Sequence, residues 1–381
     1  MQQNTRIYSL DIIRGMAILC ILFANLPTMT GLDPFNQAGY SGIDKVIRFL
    51  VDLFIQSKFY TIFAFLFGVG FYIFMKNTEA KGYLLYKLFI RRFCILLVFG
   101  LLHFILLWYG DILHAYAIAG FILLFFYKRS TKLIFIAGCS FLLVSYVLHI
   151  IVFLRASSSI TEVPSYYQYM FTGNTTNHTV NLFTHYSHQV KARLFFLMTQ
   201  EFQQLLIGIP EYIGLFLIGL WAGKKDIFKR VPELIKQIIF LQWSSLCISC
   251  LLSCPIIYYF IKMDVYYSKD VQLWILFGGK TLAIFYICTL LRVCENKKYI
   301  EWLQPFMNVG KYALTNYISQ SILTLVILSF CFNDVSQAYY WQLCIFGILI
   351  IFVQIILSKI WNKHFRYGPI EWVWRKGIYK K

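Results

Sequence analysis

Ten apolar stretches punctuate this chain, most of them close to twenty residues long, and short polar segments rich in lysine and arginine separate them. They run over 9–28, 57–76, 92–109, 112–127, 132–154, 203–223, 237–260, 272–293, 311–332 and 339–361. Continuous runs of this length suit helices crossing a hydrocarbon layer of ~30 Å; ten-residue alternation, the mark of a membrane barrel, is missing. The fourth stretch is short and meets the third at a tight turn, Trp108-Tyr109-Gly110-Asp111. Segment 37–56 has a different period. Ile43, Val46, Ile47, Leu50, Val51 and Phe54 fall on one helical stripe opposite Lys45 and Asp52, which predicts a helix lying in the membrane interface.

Composition agrees with the pattern. Hydrophobic residues make up 59% of the 381 and charged ones 14%, against about 45–50% and about 25% in soluble domains. The fold class expected is an all-α polytopic membrane bundle of about ten transmembrane helices. It forms one integral membrane domain over 1–381, with an external loop at 155–202 and an interfacial tail at 362–381. The opening stretch is interrupted by Asp11 and Arg14 and lacks a small-x-small cleavage site, so it reads as a retained first span.

The formal charge of +18 would suit a nucleic-acid binder, but its placement argues otherwise. Twenty-five basic residues fall in the segments on the N-terminal side of the spans and eight in those on the other side. That bias predicts both termini cytoplasmic and excludes nucleic acid as a partner, leaving membrane lipids. The ten cysteines lie in or beside apolar runs, which favours reduced thiols. Cys247, Cys250 and Cys254 share a helical face without a histidine or carboxylate beside them, so they read as packing residues and no metal site is expected.

Ionisable side chains inside the spans cost a few kcal/mol each, roughly 2.5–3.5 at the helix centre, and so are candidates for function. One group lies in the cytoplasmic half: Asp11 with Arg14 on the first span, and Asn316 with Gln320 on the ninth. They form either a clamp between the two helices or a vestibule for a polar donor such as a thioester cofactor. A second group lies in the outer half. It comprises His103, Asp111, His114, Asn25, Lys58, Glu211 and Lys280. A histidine oriented by a carboxylate under an outward surface is the arrangement of a general base acting on a hydroxyl, although the same residue types also build proton relays and ion paths.

Several motifs carry a resemblance. Leu10-Asp11-Ile12-Ile13-Arg14-Gly15 followed by Asn25, the run from Lys58-Phe59 to Gly68-Val69-Gly70, and Arg91-Arg92 through Gly100-Leu101-Leu102-His103 to Trp108-Tyr109-Gly110-Asp111-Ile112-Leu113-His114-Ala115-Tyr116 are three of them. Gly310-Lys311-Tyr312-Ala313-Leu314-Thr315-Asn316-Tyr317 with Gln320, and Phe365-Arg366-Tyr367-Gly368-Pro369-Ile370-Glu371-Trp372-Val373-Trp374-Arg375, complete the set. In order and spacing they resemble the YeiB-like family of bacterial multi-pass membrane proteins, also described as a domain of unknown function (418). The match is weak across 155–300.

The layout of that family resembles a broader class of membrane acyltransferases that modify sugars or envelope polymers. These use a cytoplasmic acyl donor such as acyl-coenzyme A, an acceptor across the membrane and an intramembrane histidine. The resemblance implies His103 and Asp111 as the catalytic pair. It implies Arg14 and Asn316 nearer the donor, with Asp11, Asn25, Lys58, Trp108, Gln320, Glu371 and Arg375 as further binding candidates. The family pattern has an apolar residue where His114 stands, which removes His114 from the candidate set. The implied location is the bacterial cytoplasmic membrane, and the implied acceptor a hydroxyl of an envelope glycan or lipid. The alternative is a transporter using the intramembrane charges as a substrate path.

Overall fold

The computed structural model describes residues 7–32, 38–157, 186–331 and 338–379. The chain is an all-α polytopic bundle. Its spans are α1 (Tyr8–Thr30), α3 (Lys58–Ala80), α4 (Leu85–Leu106), α6 (Thr131–Ser157), α8 (Glu201–Lys224), α9 (Ile235–Lys262), α10 (Gln272–Val293), α13 (Ala313–Cys331) and α14 (Tyr340–His364). Among the described residues these nine stretches are long and apolar enough to cross a membrane. The tenth apolar run is α5 (Leu113–Phe126), whose 14 residues span only about 21 Å. Its shortness is tolerated because protein surrounds it: Tyr116, Ala117, Ala119, Gly120 and Leu123 are buried against α4 and α8.

Shorter elements complete the described chain: α2 (Gly42–Phe54), α7 (Tyr186–Thr199), α11 (Lys297–Trp302), α12 (Gln304–Lys311) and α15 (Pro369–Tyr379). A two-residue antiparallel pair joins β1 (Gly39–Tyr40) to β2 (Tyr266–Tyr267), with Gly39 opposite Tyr267 and Tyr40 opposite Tyr266. Ile7 and Tyr379 line the same cavity, so both described chain ends lie on one face, called proximal below. The other face is distal.

Lipid gives apolar side chains little reason to prefer protein, so close approach of backbones holds such a bundle together. The motif glycines provide it. A Cβ on Gly15 would stand 1.9 Å from the Phe306 carbonyl oxygen, and one on Gly310 would stand 1.8 Å from that of Asp11. Any side chain there would push α1 off α12. Elsewhere an aromatic core fills the gaps, with Phe89 and Phe93 edge-on at 4.1 Å and Phe67 stacked on Phe216 at 4.5 Å. By contrast α9 turns Phe240, Trp243, Leu251, Tyr258 and Ile261 outward, as a lipid-facing helix does.

One expectation gains detail and one needs correction. Helix α2 does expose Ile43, Val46, Leu50 and Phe54, but its polar side is turned to protein instead of water. Arg48 and Asp52 are wholly buried and pair at 3.2 Å, and Ser268 and Tyr266 bind Asp52 at 2.5 and 3.1 Å. This buried pair docks α2 against β2 and the turn that follows it. Cys247, Cys250 and Cys254 are exposed on the outward side of α9 and so do not pack the interior. All ten cysteines are free thiols. Of the 155–202 segment, residues 158–185, with the sequons at 174–179, His178 and His185, lie outside the described residues. Its remainder includes α7.

Candidate functional site

The distal centre begins with how α4 ends. The Leu107 and Trp108 amides both donate to the His103 carbonyl, and the chain turns at Gly110, against which the Trp108 ring lies. Asp111 then starts α5 as an N-cap does. Its Oδ2 accepts the backbone N–H of His114 at 2.9 Å, satisfying one of the free amides of a helix start. Gly100 makes the meeting possible, since a Cβ there would lie 2.3 Å from the His114 nitrogen. The G-x-x-H spacing therefore brings His103 beside Asp111 through the absence of a side chain one turn earlier.

Five side chains form a string around Asp111. Ser321 Oγ on α13 lies 2.9 Å from His103 Nε2, and His103 Nδ1 lies 2.9 Å from Asp111 Oδ1, poorly aligned for a hydrogen bond. Asp111 Oδ2 lies 2.8 Å from His114 Nδ1, and His114 Nε2 lies 2.9 Å from Glu201 Oε1 at the start of α8. All five are buried. Helix α7 covers them: Tyr186 donates to the Leu106 carbonyl at 2.8 Å and Arg193 to that of Leu107. Burial pulls the Arg193 guanidinium down to about 10, and nearby Tyr186 opposes that fall. Trp108 Nε1 is buried without a hydrogen-bond partner among the described residues.

Asp111 and Glu201 also border a distal cavity of about 270 Å³, together with Asn25, Gln56, Gln204 and the rings of Tyr60, Tyr109, Tyr212 and Tyr317. A proximal cavity of about 790 Å³ opens on the opposite side. It has seven cationic side chains (Arg14, Lys76, Arg92, Lys229, Lys311, Arg366 and Arg375) against three carboxylates, so it favours an anionic occupant. Asp11 and Arg14 pair at its edge at 3.0 Å. Arg92 lies over the rings of Phe74 and Trp374 at 4.6 and 4.3 Å, and Arg375 over that of Tyr367 at 4.4 Å. Tyr317 lines both cavities, and its ring centroid is 5.2 Å from that of His103.

The remaining candidates stand apart. Lys58 is buried and donates to the Asp52 carbonyl at 2.6 Å, where α2 breaks into α3 at Ser57 with φ 67°. Asn316 binds the Val309 and Tyr312 carbonyls and Ser358, while Gln320 binds the Ile18 carbonyl and Gln354. These amides join α13 to α1 and α14 and line neither cavity. Glu211 and Lys280 pair at 2.8 Å across α8 and α10, with Tyr60 donating to Glu211 at 2.6 Å. Glu371 caps a helix that is not its own. Its Oε1 accepts the Leu314 and Thr315 amides at 2.8 and 3.1 Å, and its Oε2 takes the Thr315 hydroxyl, closing the free start of α13.

Three members of the distal string were missed or dropped on the sequence. Ser321 is one polar residue in an apolar run and Glu201 stands just before one, so neither carried a signal of depth. His114 was set aside because the family pattern is apolar there, although its i, i+3 spacing from Asp111 was the available clue. Among the described residues, no three His, Cys, Asp or Glu side chains are grouped as a metal site would require.

The family model described as "Protein of unknown function (DUF418)" matches residues 222–381. "Uncharacterized protein YxaH" of Bacillus subtilis (strain 168) is 30% identical over 99% of this chain and 95% of its own length. An "Uncharacterized 39.9 kDa protein in amylase 3'region" of Bacillus acidopullulyticus is 28% identical with the same coverage. "Uncharacterized protein YeiB" of Escherichia coli (strain K12) is 26% identical over 97% of this chain and 95% of its own length. No solved structure matches the chain.

Proposed function

The chain belongs to the YeiB-like DUF418 family, and we propose that it transfers an acyl group between its two cavities, with both termini cytoplasmic in a bacterial inner membrane. The donor is a thioester with an anionic head, such as acyl-coenzyme A, seated in the proximal cavity. The acceptor is a hydroxyl of an envelope glycan or lipid in the distal one. One observation carries the reading: the buried His103–Asp111 pair stands beside Tyr317, which lines both cavities. The excess of loop lysine and arginine on the proximal side supports the orientation. The amides of Asn25, Gln56 and Gln204 among tyrosine rings suit a sugar hydroxyl better than an acyl chain.

His103 is the base and Asp111 holds its ring. Nε2 faces the Ser321 hydroxyl at 2.9 Å, a position the acceptor hydroxyl has to take over. The acceptor proton passes to Nε2, its oxygen attacks the thioester carbon, and the sulfur departs, finally as thiol. A positioned base contributes about 10²–10⁴-fold. Purified protein in liposomes, given labelled acetyl-coenzyme A and envelope glycan, tests this. His103→Ala should lower transfer by at least about 100-fold in protein that still folds and inserts. Full transfer by that variant sinks the reading.

The ion pair of Glu211 and Lys280, held inside two spans, favours transport as a second reading. Solute uptake by the same liposomes without any thioester would select it.

A further inference from the structure

His103 itself borders neither cavity. Asp111 and Glu201 both border the distal one, but the Asp111 side chain is wholly buried, whereas that of Glu201, at the far end of the string, is slightly open. The steps between His103 and Glu201 measure 2.9, 2.8 and 2.9 Å, and the four side chains are exposed by 1%, 0%, 3% and 8% in that order. From Nδ1 of His103 the string offers a run of ionisable groups at hydrogen-bond distances that ends at the distal wall. Both ring nitrogens of His114 go to carboxylates, Asp111 on one side and Glu201 on the other.

We propose that His114 and Glu201 form a proton port that connects the His103–Asp111 pair to the distal cavity. The proton passes from His103 Nδ1 to the Asp111 carboxylate and from there to His114 Nδ1, while His114 gives its Nε2 proton to the Glu201 carboxylate, which releases it into the distal cavity. Asp111 is then again a carboxylate and His103 a neutral imidazole. No oxidant, reductant or co-reactant enters. The two imidazoles share the Asp111 carboxylate, so a proton arriving from the distal side changes the field at His103. Other ionisable groups surround the string without bonding to His114. These are Tyr60 of α3, Arg193 of α7, Tyr212 and the Lys280-paired Glu211 of α8, and Tyr317 of α13. The port rests on reading His103 as the proton acceptor, but its test needs no substrate, so the two fail separately.

Full-length protein with ¹⁵N-labelled histidine in lipid nanodiscs, its signals assigned with His103→Gln and His114→Gln, is titrated from about pH 5 to about pH 9. The His103 and His114 signals should move together. Glu201→Gln should displace the His103 midpoint by at least about half a unit although Glu201 does not touch His103, while exposed Glu233→Gln leaves it in place. A His103 midpoint unmoved by both Glu201→Gln and His114→Gln overturns the port. So does a pair of imidazoles that keeps one charge throughout. If the variants do not fold, wild-type protein in oriented liposomes decides: infrared bands of His103 should follow a pH jump on the distal side alone. Bands that follow the proximal side overturn the port.

Discussion

The proximal and distal cavities differ in sign, size and construction. The proximal one is about 790 Å³, cationic, and walled by arginines laid over aromatic rings. The distal one is about 270 Å³, carries two carboxylates and has no lysine or arginine on its wall. The first gathers charge from separate helix ends. The second takes one carboxylate from the turn before α5 and the other from the start of α8, with the His114 imidazole between them. Such a separation of signs would let a polyanion approach the proximal side without meeting Asp111 and Glu201.

Four measurements would break or sharpen that contrast. The largest effect concerns the backbone contact that closes the proximal side. Gly310→Val should give no folded protein in detergent extracts, because its Cβ would sit on the Asp11 carbonyl. Gly70→Ala, with nothing within 4 Å on the wall of the same cavity, should fold normally. Next comes the ion pair behind the distal wall. Glu211→Ala leaves Lys280 buried without its carboxylate, and thermal unfolding should register about 3–5 kcal/mol of lost stability. Most of it should return in Glu211→Gln/Lys280→Gln.

Binding is the third. Coenzyme A used as a polyanionic probe should bind about tenfold more weakly to Arg375→Gln, equivalent to about 1.4 kcal/mol, and more weakly still in high salt. Glu201→Gln should bind it as wild type does; an equal loss in both would mean the cavities are not electrically separate. The smallest effect is at the cap. Glu371→Ala should cost about 1 kcal/mol in thermal unfolding, with Glu371→Gln retaining part of it.

The spans and the His103–Asp111 pair were legible because each is local. A run of apolar residues reports its own burial, and the turn at Gly110 brings two residues eight apart into contact. The Asp11–Arg14 pair was legible for the same reason, at i, i+3 on one helix. Partners from distant segments were not. Ser321 reaches His103 across 218 residues and Glu201 reaches His114 across 87, and neither has a neighbour in sequence that announces it. Asn316 and Gln320 were visible as polar groups, but a sequence cannot say whether an amide faces a cavity or a neighbouring helix. Lys58 was visible as a charge, and only the broken helix behind it explains what it holds.

Glu371 has a consequence for how the protein is made. It closes the start of α13, 57 residues earlier in the chain at Leu314. During synthesis α13 enters the membrane with those amides open, and they stay open until Glu371 has been made and α15 has docked. Tyr317 and Ser321 ride on that helix. The partition between the cavities is thus finished only after α15 has docked, and a chain cut before residue 369 would insert its spans yet leave the start of α13 uncapped.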